Sequence, residues 1–251
     1  MNPFTIPENI ILRLSQKTAQ LLEGKQEELA SCSWTNGESN TEGDYSRLAC
    51  RCVLEAWSLI QSDFPGMENV IIEANSPDIS CIFKNDSLSF KRKIELKSSL
   101  NVTMPGSTIG KLDFNQPMIY CLRPKNPTEP FKFRYSQYHH ALGENDKELF
   151  QDRTPRPIIN YDKMWDSSVL ATYTEKEKSE WVDHYAVCAL NRLNTPTQYS
   201  WQDSLVRKIK DYVIKTFLST TTIEEIARMK VELTTTHIQN LSDLATNQIP
   251  Q

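Results

Sequence analysis

The sequence predicts an α/β fold in which helices flank a central mixed β-sheet and a helical region forms the C-terminal third. Two stretches, residues 8–30 and 44–62, carry apolar residues at helical spacing. Three short runs that are β-branched or alternate apolar with polar residues follow them. These runs lie at 68–74, 78–83 and 89–97. Helical spacing returns over residues 174–247, so an all-helical part follows the part that contains the sheet.

The N-terminal stretch predicts a helix with one apolar face. Its candidate core residues are Ile11, Leu14, Leu21, Leu22 and Leu29. Residues 33–43 are polar and rich in Ser, Asn, Gly and Glu, so we expect a loop there. Asp44 is the predicted cap of the next helix, which stops at Pro65 and Gly66. Its predicted inward residues are Leu48, Cys52, Ala56, Leu59 and Ile60.

The three runs predict neighbouring strands whose side chains alternate between two faces. Glu95 and Lys97 are two residues apart, so they project together, while Ile94 and Leu96 point into the opposite, apolar layer. The turn residues at 85–86 bring Asp78 back beside this strand. Residues 98–110 are polar and should form a loop or one helical turn, a brief helix is expected at 109–114, and residues 118–122 predict a fourth strand.

The C-terminal helices carry two predicted start signals. Thr174 with Glu177, and Thr222 with Glu225, each have the spacing of a capping box, in which the threonine and the acid satisfy each other's backbone N–H groups. Arg207, Lys208 and their basic neighbours give the helix between them a side that could meet a DNA backbone.

Asp78, Glu95 and Lys97 together suit the hydrolysis of a phosphodiester. The negative charge of that group repels hydroxide, so a divalent cation helps by neutralising charge and by making a nucleophile from water. The two carboxylates supply hard oxygen ligands, and Mg²⁺ accepts one or two carboxylates beside water and phosphate oxygens. Lys97 would hold or deprotonate the attacking water. These residues predict a magnesium-dependent phosphodiesterase.

The Pro77-Asp78 dipeptide followed by Glu95-Leu96-Lys97 resembles the PD-(D/E)xK nuclease superfamily, of which restriction endonucleases are the best-populated branch. The resemblance covers residues 44–123 in the order helix, three strands, short helix, strand, and implies a restriction-endonuclease-like core. It implies that Asp78 and Glu95 bind the metal, that the main-chain carbonyl of Leu96 joins them, and that Lys97 is the catalytic lysine. Members often add an acid from the preceding helix, for which Glu55 is the candidate.

Each of these residues also has an ordinary structural interpretation. A Pro-Asp dipeptide is a common turn, and Glu-x-Lys on a strand is commonly a solvated ion pair. Arg51 lies four residues before Glu55, so a surface helical ion pair is an alternative to a metal role. Glu73 is a rival for the place of Glu55.

Residues 131–166 hold many side chains that are suited to reading nucleic acid, and we expect DNA recognition there. Arg reaches guanine edges, and Asn and Gln reach adenine. The predicted DNA-binding residues are Arg134, Gln137, His140, Arg153 and Arg156. The alternative is that residues 153–157 form a rigid connector and that Tyr135 and Tyr138 belong to the core. His139 and His140 lack the Cys or His pattern of a metal-binding nuclease motif.

The whole chain of 251 residues can form a single nuclease domain, or a nuclease core with a helical addition. Its 39% hydrophobic and 24% charged residues are typical of a soluble protein, and neither a membrane span nor a secretory signal is expected, so we expect a cytoplasmic location. The six cysteines are expected to be reduced and mostly buried. No Walker-type glycine loop is present, so no nucleotide cofactor is expected. A net charge of −4 allows a DNA-binding face if the basic residues cluster.

These observations predict a sequence-specific, Mg²⁺-dependent DNA endonuclease of the type II restriction class. A homodimer is expected because two-fold DNA sites match two-fold proteins, and one active site per chain cannot readily cut both antiparallel strands. By the resemblance, water attacks the phosphorus in line and leaves a 5′-phosphate and a 3′-hydroxyl. Two alternatives remain open: a repair or structure-selective nuclease with the same core, and a non-catalytic DNA-binding or assembly module.

Overall fold

The structure is a computed structural model, and it describes the greater part of residues 4–175 together with a few positions further on. The described residues are 4–34, 43–76, 78–86, 88–107, 113–143 and 156–175, with His184, Val187, Arg207, Lys208, Asp211, Tyr212, Lys215, Thr222 and Glu225. The chain divides into two compact units, Met1–Arg192 and Leu193–Gln251.

The predicted mixed β-sheet is confirmed. The described strands are β1 (Ile71–Asn75), β2 (Ile79–Asn85), β3 (Leu88–Ser99), β4 (Thr103–Pro105), β5 (Pro117–Leu122), β6 (Lys132–Gln137), β7 (Ile158–Asn160) and β8 (Trp165–Asp166). Six of these described strands form one sheet in the order β1-β2-β3-β5-β6-β8, and β4 pairs with β7. β3 and β5 run parallel, while the other neighbours in the sheet run antiparallel.

Helices pack against this sheet, as predicted. The first predicted helix is two helices, α1 (Glu8–Glu23) and α2 (Gln26–Ser31), and the next is α3 (Asp44–Ile60). The N-cap of α3 is Gly43 rather than Asp44. The carboxylate of Asp44 instead accepts a hydrogen bond from the backbone N–H of Ser33, at 3.1 Å.

The predicted inward face of α3 is correct at Leu48, Cys52, Ala56 and Ile60, which are buried, and wrong at Leu59. Leu59 is 51% exposed, whereas Trp57 is only 3% exposed. At 3.6 residues per turn, two residues along a helix place a side chain on nearly the opposite side, so burial of Trp57 turns Leu59 outward.

Two apolar cores lie on the two faces of the sheet. The first joins α1 and α3 to the face that carries Ile79, Phe83, Ile94 and Leu96. The second covers the other face over β5. Its main members are Phe114, Met118, Tyr120, Tyr138, Ala141, Leu142, Ile159, Tyr161 and Met164. Glu95 pairs with Met118 and Lys97 with Tyr120 across β3 and β5, so both polar residues belong to the second face.

The C-terminal predictions fall mostly outside the described residues, including the predicted helical region and the partner of Thr174, Glu177. The capping box at Thr222 is confirmed. The backbone N–H and the hydroxyl of Thr222 donate to the Glu225 carboxylate at 2.8 and 2.9 Å, and the Glu225 N–H donates to the Thr222 hydroxyl at 3.2 Å. The brief helix predicted at 109–114 also lies largely outside the described residues. Across the part of the chain that is described, the helices are all too short or too polar to cross a membrane.

Candidate active site

Asp78 stands immediately before β2 and reaches back to β3. Because Ile79 pairs with Ile94, the residue before it falls beside Glu95. Asp78 has a φ of 56°, in the left-handed region that Asp tolerates better than most residues. Its Oδ1 accepts a hydrogen bond from the Leu96 N–H at 3.3 Å. This hydrogen bond fixes Asp78 to β3, the strand that carries Glu95 and Lys97.

Glu95 is a buried carboxylate with partners on both oxygens. Only 7% of the residue is exposed. Its Oε1 lies 2.6 Å from the Lys97 Nζ and accepts a 3.4 Å hydrogen bond from the hydroxyl of Ser107. Its Oε2 lies 3.1 Å from the Nζ of Lys93. The structure therefore brings Asp78, Glu95 and Lys97 together and adds Lys93 and Ser107 to them.

Lys93 is a site residue that the sequence reasoning missed. Its Nζ lies 2.7 Å from the Asp78 Oδ2 as well as 3.1 Å from Glu95, so one ammonium bridges both carboxylates. The signal was present, because Lys93, Glu95 and Lys97 alternate along one strand and so share a face.

The charges in this group balance, since two carboxylates face two ammonium groups. Burial disfavours the charged form of Glu95, but Lys97 and Lys93 outweigh it, so the pKa of Glu95 is lowered from 4.5. Burial likewise opposes the charge of Lys93, but the Asp78 hydrogen bond and the Glu95 charge raise its pKa above 10.5. Both ion-pair partners are therefore charged at neutral pH.

Gly106 and Tyr138 position the loop that contains Ser107. The Ser107 N–H donates to the Tyr138 hydroxyl at 2.5 Å, and the Gly106 N–H donates to the Pro157 carbonyl at 2.8 Å. A Cβ at Gly106 would overlap the Tyr138 hydroxyl and lie 2.9 Å from the Pro157 carbonyl. Only glycine fits this close approach without displacing its neighbours.

Arg156 is a predicted DNA-binding residue that adjoins this loop through Pro157, whose carbonyl accepts a hydrogen bond from Gly106. It is exposed and directly precedes Pro157. Burial raises the pKa of Tyr138 to about 12, and the charges of Glu95 and Arg156 both act on that hydroxyl in opposite directions. Arg153, its predicted companion, lies outside the described residues.

Arg134, Gln137 and His140 have partners within the protein. Arg134 donates to the carbonyls of Tyr161 and Asp162 at 3.2 and 3.0 Å, and its guanidinium lies 4.6 Å from the centre of the Tyr161 ring. Gln137 is 1% exposed and exchanges hydrogen bonds with the backbone of Thr174. The His140 ring lies 4.4 Å from Trp165 and 2.9 Å from the Thr174 hydroxyl. These contacts hold the segment after β7 against β6 and the turn that follows it, so each of the three side chains has a structural role in the fold, and the DNA-binding role stays a prediction.

For Tyr135 and Tyr138 the alternative interpretation, burial in the core, is confirmed. They are 0% and 1% exposed, so both belong to the core.

Neither Glu55 nor Glu73 reaches the group around Glu95. Glu55 is exposed on α3, which packs on the opposite face of the sheet from Glu95, and Arg51 pairs with Glu28 at 2.8 Å rather than with Glu55. Glu73 pairs with Lys84. It lies opposite Ile82, which lies opposite Lys91, so four residues, or about 13 Å, separate its position along the sheet from Glu95. One ion cannot bind both acids across that distance.

Asp78 and Glu95 can supply part of the ligand shell of a hard divalent cation, which would take its other ligands from water or a phosphate. Nowhere in the described ranges do three His, Cys, Asp or Glu residues gather as a metal-binding group. Asp78 and Glu95 converge on the ammonium of Lys93, and Mg²⁺ commonly takes one or two carboxylates. The N–H and C=O of one strand residue point to the same side, so the Leu96 carbonyl opens toward Asp78 as its N–H does.

Comparison with known proteins gives no match, either to a protein-family model or to a curated protein.

Proposed function

We propose that the chain is a Mg²⁺-dependent deoxyribonuclease of the PD-(D/E)xK kind that acts as a type II restriction endonuclease on double-stranded DNA. The observation that carries the proposal is the convergence of Asp78 and Glu95 on one ammonium group, that of Lys93, at 2.7 and 3.1 Å, with Lys97 held 2.6 Å from Glu95. The order of α3, three antiparallel strands and then β5 also supports it, because the resemblance implies a helix, three strands and a later strand, and the short helix that it adds before the last strand falls largely outside the described residues.

Asp78, Glu95 and the carbonyl of Leu96 would hold the metal in this proposal. Bound Mg²⁺ would neutralise phosphate charge and supply a more acidic water. Glu95 suits this role because its lysines lower its pKa against the effect of burial, which keeps its carboxylate ionised at neutral pH.

Lys97 would position the attacking water or take its proton. Its side chain is 18% exposed, so it is confined by its surroundings but open to a bound substrate. Ser107 would help to hold the Glu95 carboxylate in place, since it donates to the same oxygen as Lys97. Arg156 is exposed and precedes Pro157, which is hydrogen-bonded to the loop that contains Ser107. It would contact a DNA phosphate, to which a cation adds affinity.

A homodimer would let each subunit cut one strand of a palindromic site. The argument is geometric, since one group of Asp78, Glu95 and Lys97 per chain meets one scissile phosphate while the antiparallel strands are related by two-fold symmetry.

A second candidate is a non-catalytic module in which these residues form a structural ion-pair group. The observation that favours it is Lys93, whose ammonium already satisfies both carboxylates. Under this alternative the four charges would stabilise the sheet and would not require a metal.

Incubation of the purified protein with plasmid DNA and Mg²⁺ separates the candidates. Discrete fragments with mappable ends indicate a restriction enzyme, and smears or nicks indicate a repair or structure-selective nuclease. Intact DNA over a range of Mg²⁺ and Mn²⁺ concentrations would indicate the non-catalytic module. Glu95→Gln is the inactive control, and Glu73→Gln is the matched control because Glu73 lies on the same sheet but pairs with Lys84.

A further inference from the structure

The carboxylate oxygens that would bind a metal are the oxygens that Lys93 occupies. Oε1 of Glu95 is engaged by Lys97 and Ser107, whereas Oε2 faces Lys93. Asp78 is divided in the same way, since Oδ1 accepts from the Leu96 N–H and Oδ2 faces Lys93. The remaining oxygen of each acid therefore points to one place, and the ammonium of Lys93 is in it.

A divalent cation bound to both acids cannot coexist with Lys93 in its observed position. Mg²⁺ binds carboxylate oxygens at about 2.0–2.1 Å. An ammonium 2.7 Å from the same Asp78 oxygen would lie against the cation, and like charges at that distance repel strongly. Binding of the metal must therefore displace Lys93.

Lys93 can leave and Lys97 is held. The side chain of Lys93 is 48% exposed, whereas that of Lys97 is 18% exposed. A long, half-exposed lysine can turn its ammonium into solvent with little loss of packing, because its charge stays hydrated.

We propose that Lys93 is the resident counter-ion of this site, which holds Asp78 and Glu95 together without metal and sets the metal affinity by competing for them. This inference rests on the proposed function, since it assumes that the two acids bind a divalent cation. With Lys93 in place the four charges sum to zero, so an entering cation gains no net attraction. Without Lys93 the group carries one net negative charge, which favours the binding of a cation. When neither Lys93 nor a metal lies between them, the carboxylates of Asp78 and Glu95 repel each other.

The experiment measures metal affinity directly and needs no cleavage. Mn²⁺ is the probe because it takes the oxygen ligands of Mg²⁺ and its free concentration is measured by electron paramagnetic resonance. We expect Lys93→Met to bind Mn²⁺ about tenfold more tightly than the wild type, which corresponds to the loss of one competing charge worth ~1.4 kcal/mol. Lys93→Arg keeps the charge and should stay near the wild-type affinity.

Lys91→Met is the matched control. Lys91 lies two residues earlier on the same strand and face and is exposed, so its removal changes the net charge by the same amount without touching either acid. Its affinity for Mn²⁺ should change less than about twofold, as a screened surface charge does.

Thermal unfolding gives a second readout of the same proposal. In EDTA, Lys93→Met should unfold at a lower temperature than the wild type because the two carboxylates lose their shared partner. Mn²⁺ should then raise its midpoint by more than it raises that of the wild type, in proportion to the tighter binding.

The outcomes separate the two proposals. Tighter binding by Lys93→Met, lost again when Glu95→Gln is added, supports the counter-ion role. If the wild type binds Mn²⁺ through Glu95 and Lys93→Met binds it no more tightly, the counter-ion role is wrong and the proposed metal site is retained. No Mn²⁺ binding in either protein overturns the metal site of the proposed function together with the inference.

Discussion

Replacement of Glu95 by Gln tests the charge group without changing its shape. The residue is 7% exposed, and its carboxylate lies 2.6 Å from Lys97 and 3.1 Å from Lys93. The amide keeps one oxygen that can still accept a hydrogen bond, but it presents an NH₂ group where the second oxygen was. One of the two ammonium groups must therefore lose its contact with residue 95, although Lys93 keeps Asp78 at 2.7 Å, and the other faces a neutral oxygen.

The structure sets the size of the effect. A hydrogen bond to a charged group contributes about 1.5–3 kcal/mol. Lys93 is half-exposed, so water replaces much of what it loses, whereas Lys97 is largely enclosed. We expect Glu95→Gln to lower the free energy of unfolding by about 2 kcal/mol at pH 7. For a protein of this size that corresponds to a fall in the melting temperature of about 4–8 °C.

The pH dependence of this loss follows from the lowered pKa of Glu95. Its pKa in the folded protein lies below the ordinary value of 4.5, because Lys97 and Lys93 outweigh the effect of burial. The stabilisation is therefore complete above the ordinary pKa and is lost as the pH falls through the lower folded value. The difference in melting temperature between wild type and Glu95→Gln should shrink between pH 7 and pH 3.

Circular dichroism melts in EDTA, taken from pH 7 to pH 3, measure this difference without bound metal. Glu73→Gln is the control, since Glu73 pairs with Lys84 while both side chains are about half-exposed, and such a pair contributes at most about 1 kcal/mol. Equal melting temperatures for wild type and Glu95→Gln at pH 7, or a difference that grows in acid, would refute the electrostatic reasoning. Cleavage of plasmid by Glu95→Gln at the wild-type rate would refute its role as a metal ligand.

Further variants test the rest of the site. Lys97→Ala should lower the rate of cleavage by about 10²-fold or more while Mn²⁺ binding persists, and a defect confined to DNA binding would contradict its role with water. Gly106→Ala should destabilise the protein by about 1–3 kcal/mol in urea unfolding, because its Cβ meets the Tyr138 hydroxyl and the Pro157 carbonyl; an unchanged midpoint would show that the loop yields freely. Arg156→Ala should weaken DNA binding and reduce the salt dependence of log K by about one, and an unchanged salt slope would remove Arg156 from the interface.

The sequence predicted the part of the site that depends on local geometry. Alternation along a strand has a period of two, so Glu95 and Lys97 had to share a face opposite Ile94 and Leu96. The turn predicted at residues 85–86 then placed Asp78 beside that strand, and both of these relations are present in the structure. The same alternation included Lys93, which the sequence argument could have found.

Only the tertiary structure decided which polar side chains have partners inside the protein. Arg134 and Gln137 look like DNA-reading residues in the sequence, but they are bound by Tyr161, Asp162 and Thr174, which follow them by 27 to 37 positions. The position of Glu55 could not be predicted from the sequence either, because contacts between segments that are distant in the chain decide on which face of the sheet α3 packs. Backbone geometry fixes the periodicity of a strand or helix within a few residues. The burial and pairing of a charge depend on segments far away in the chain, so its role emerges only when they pack together.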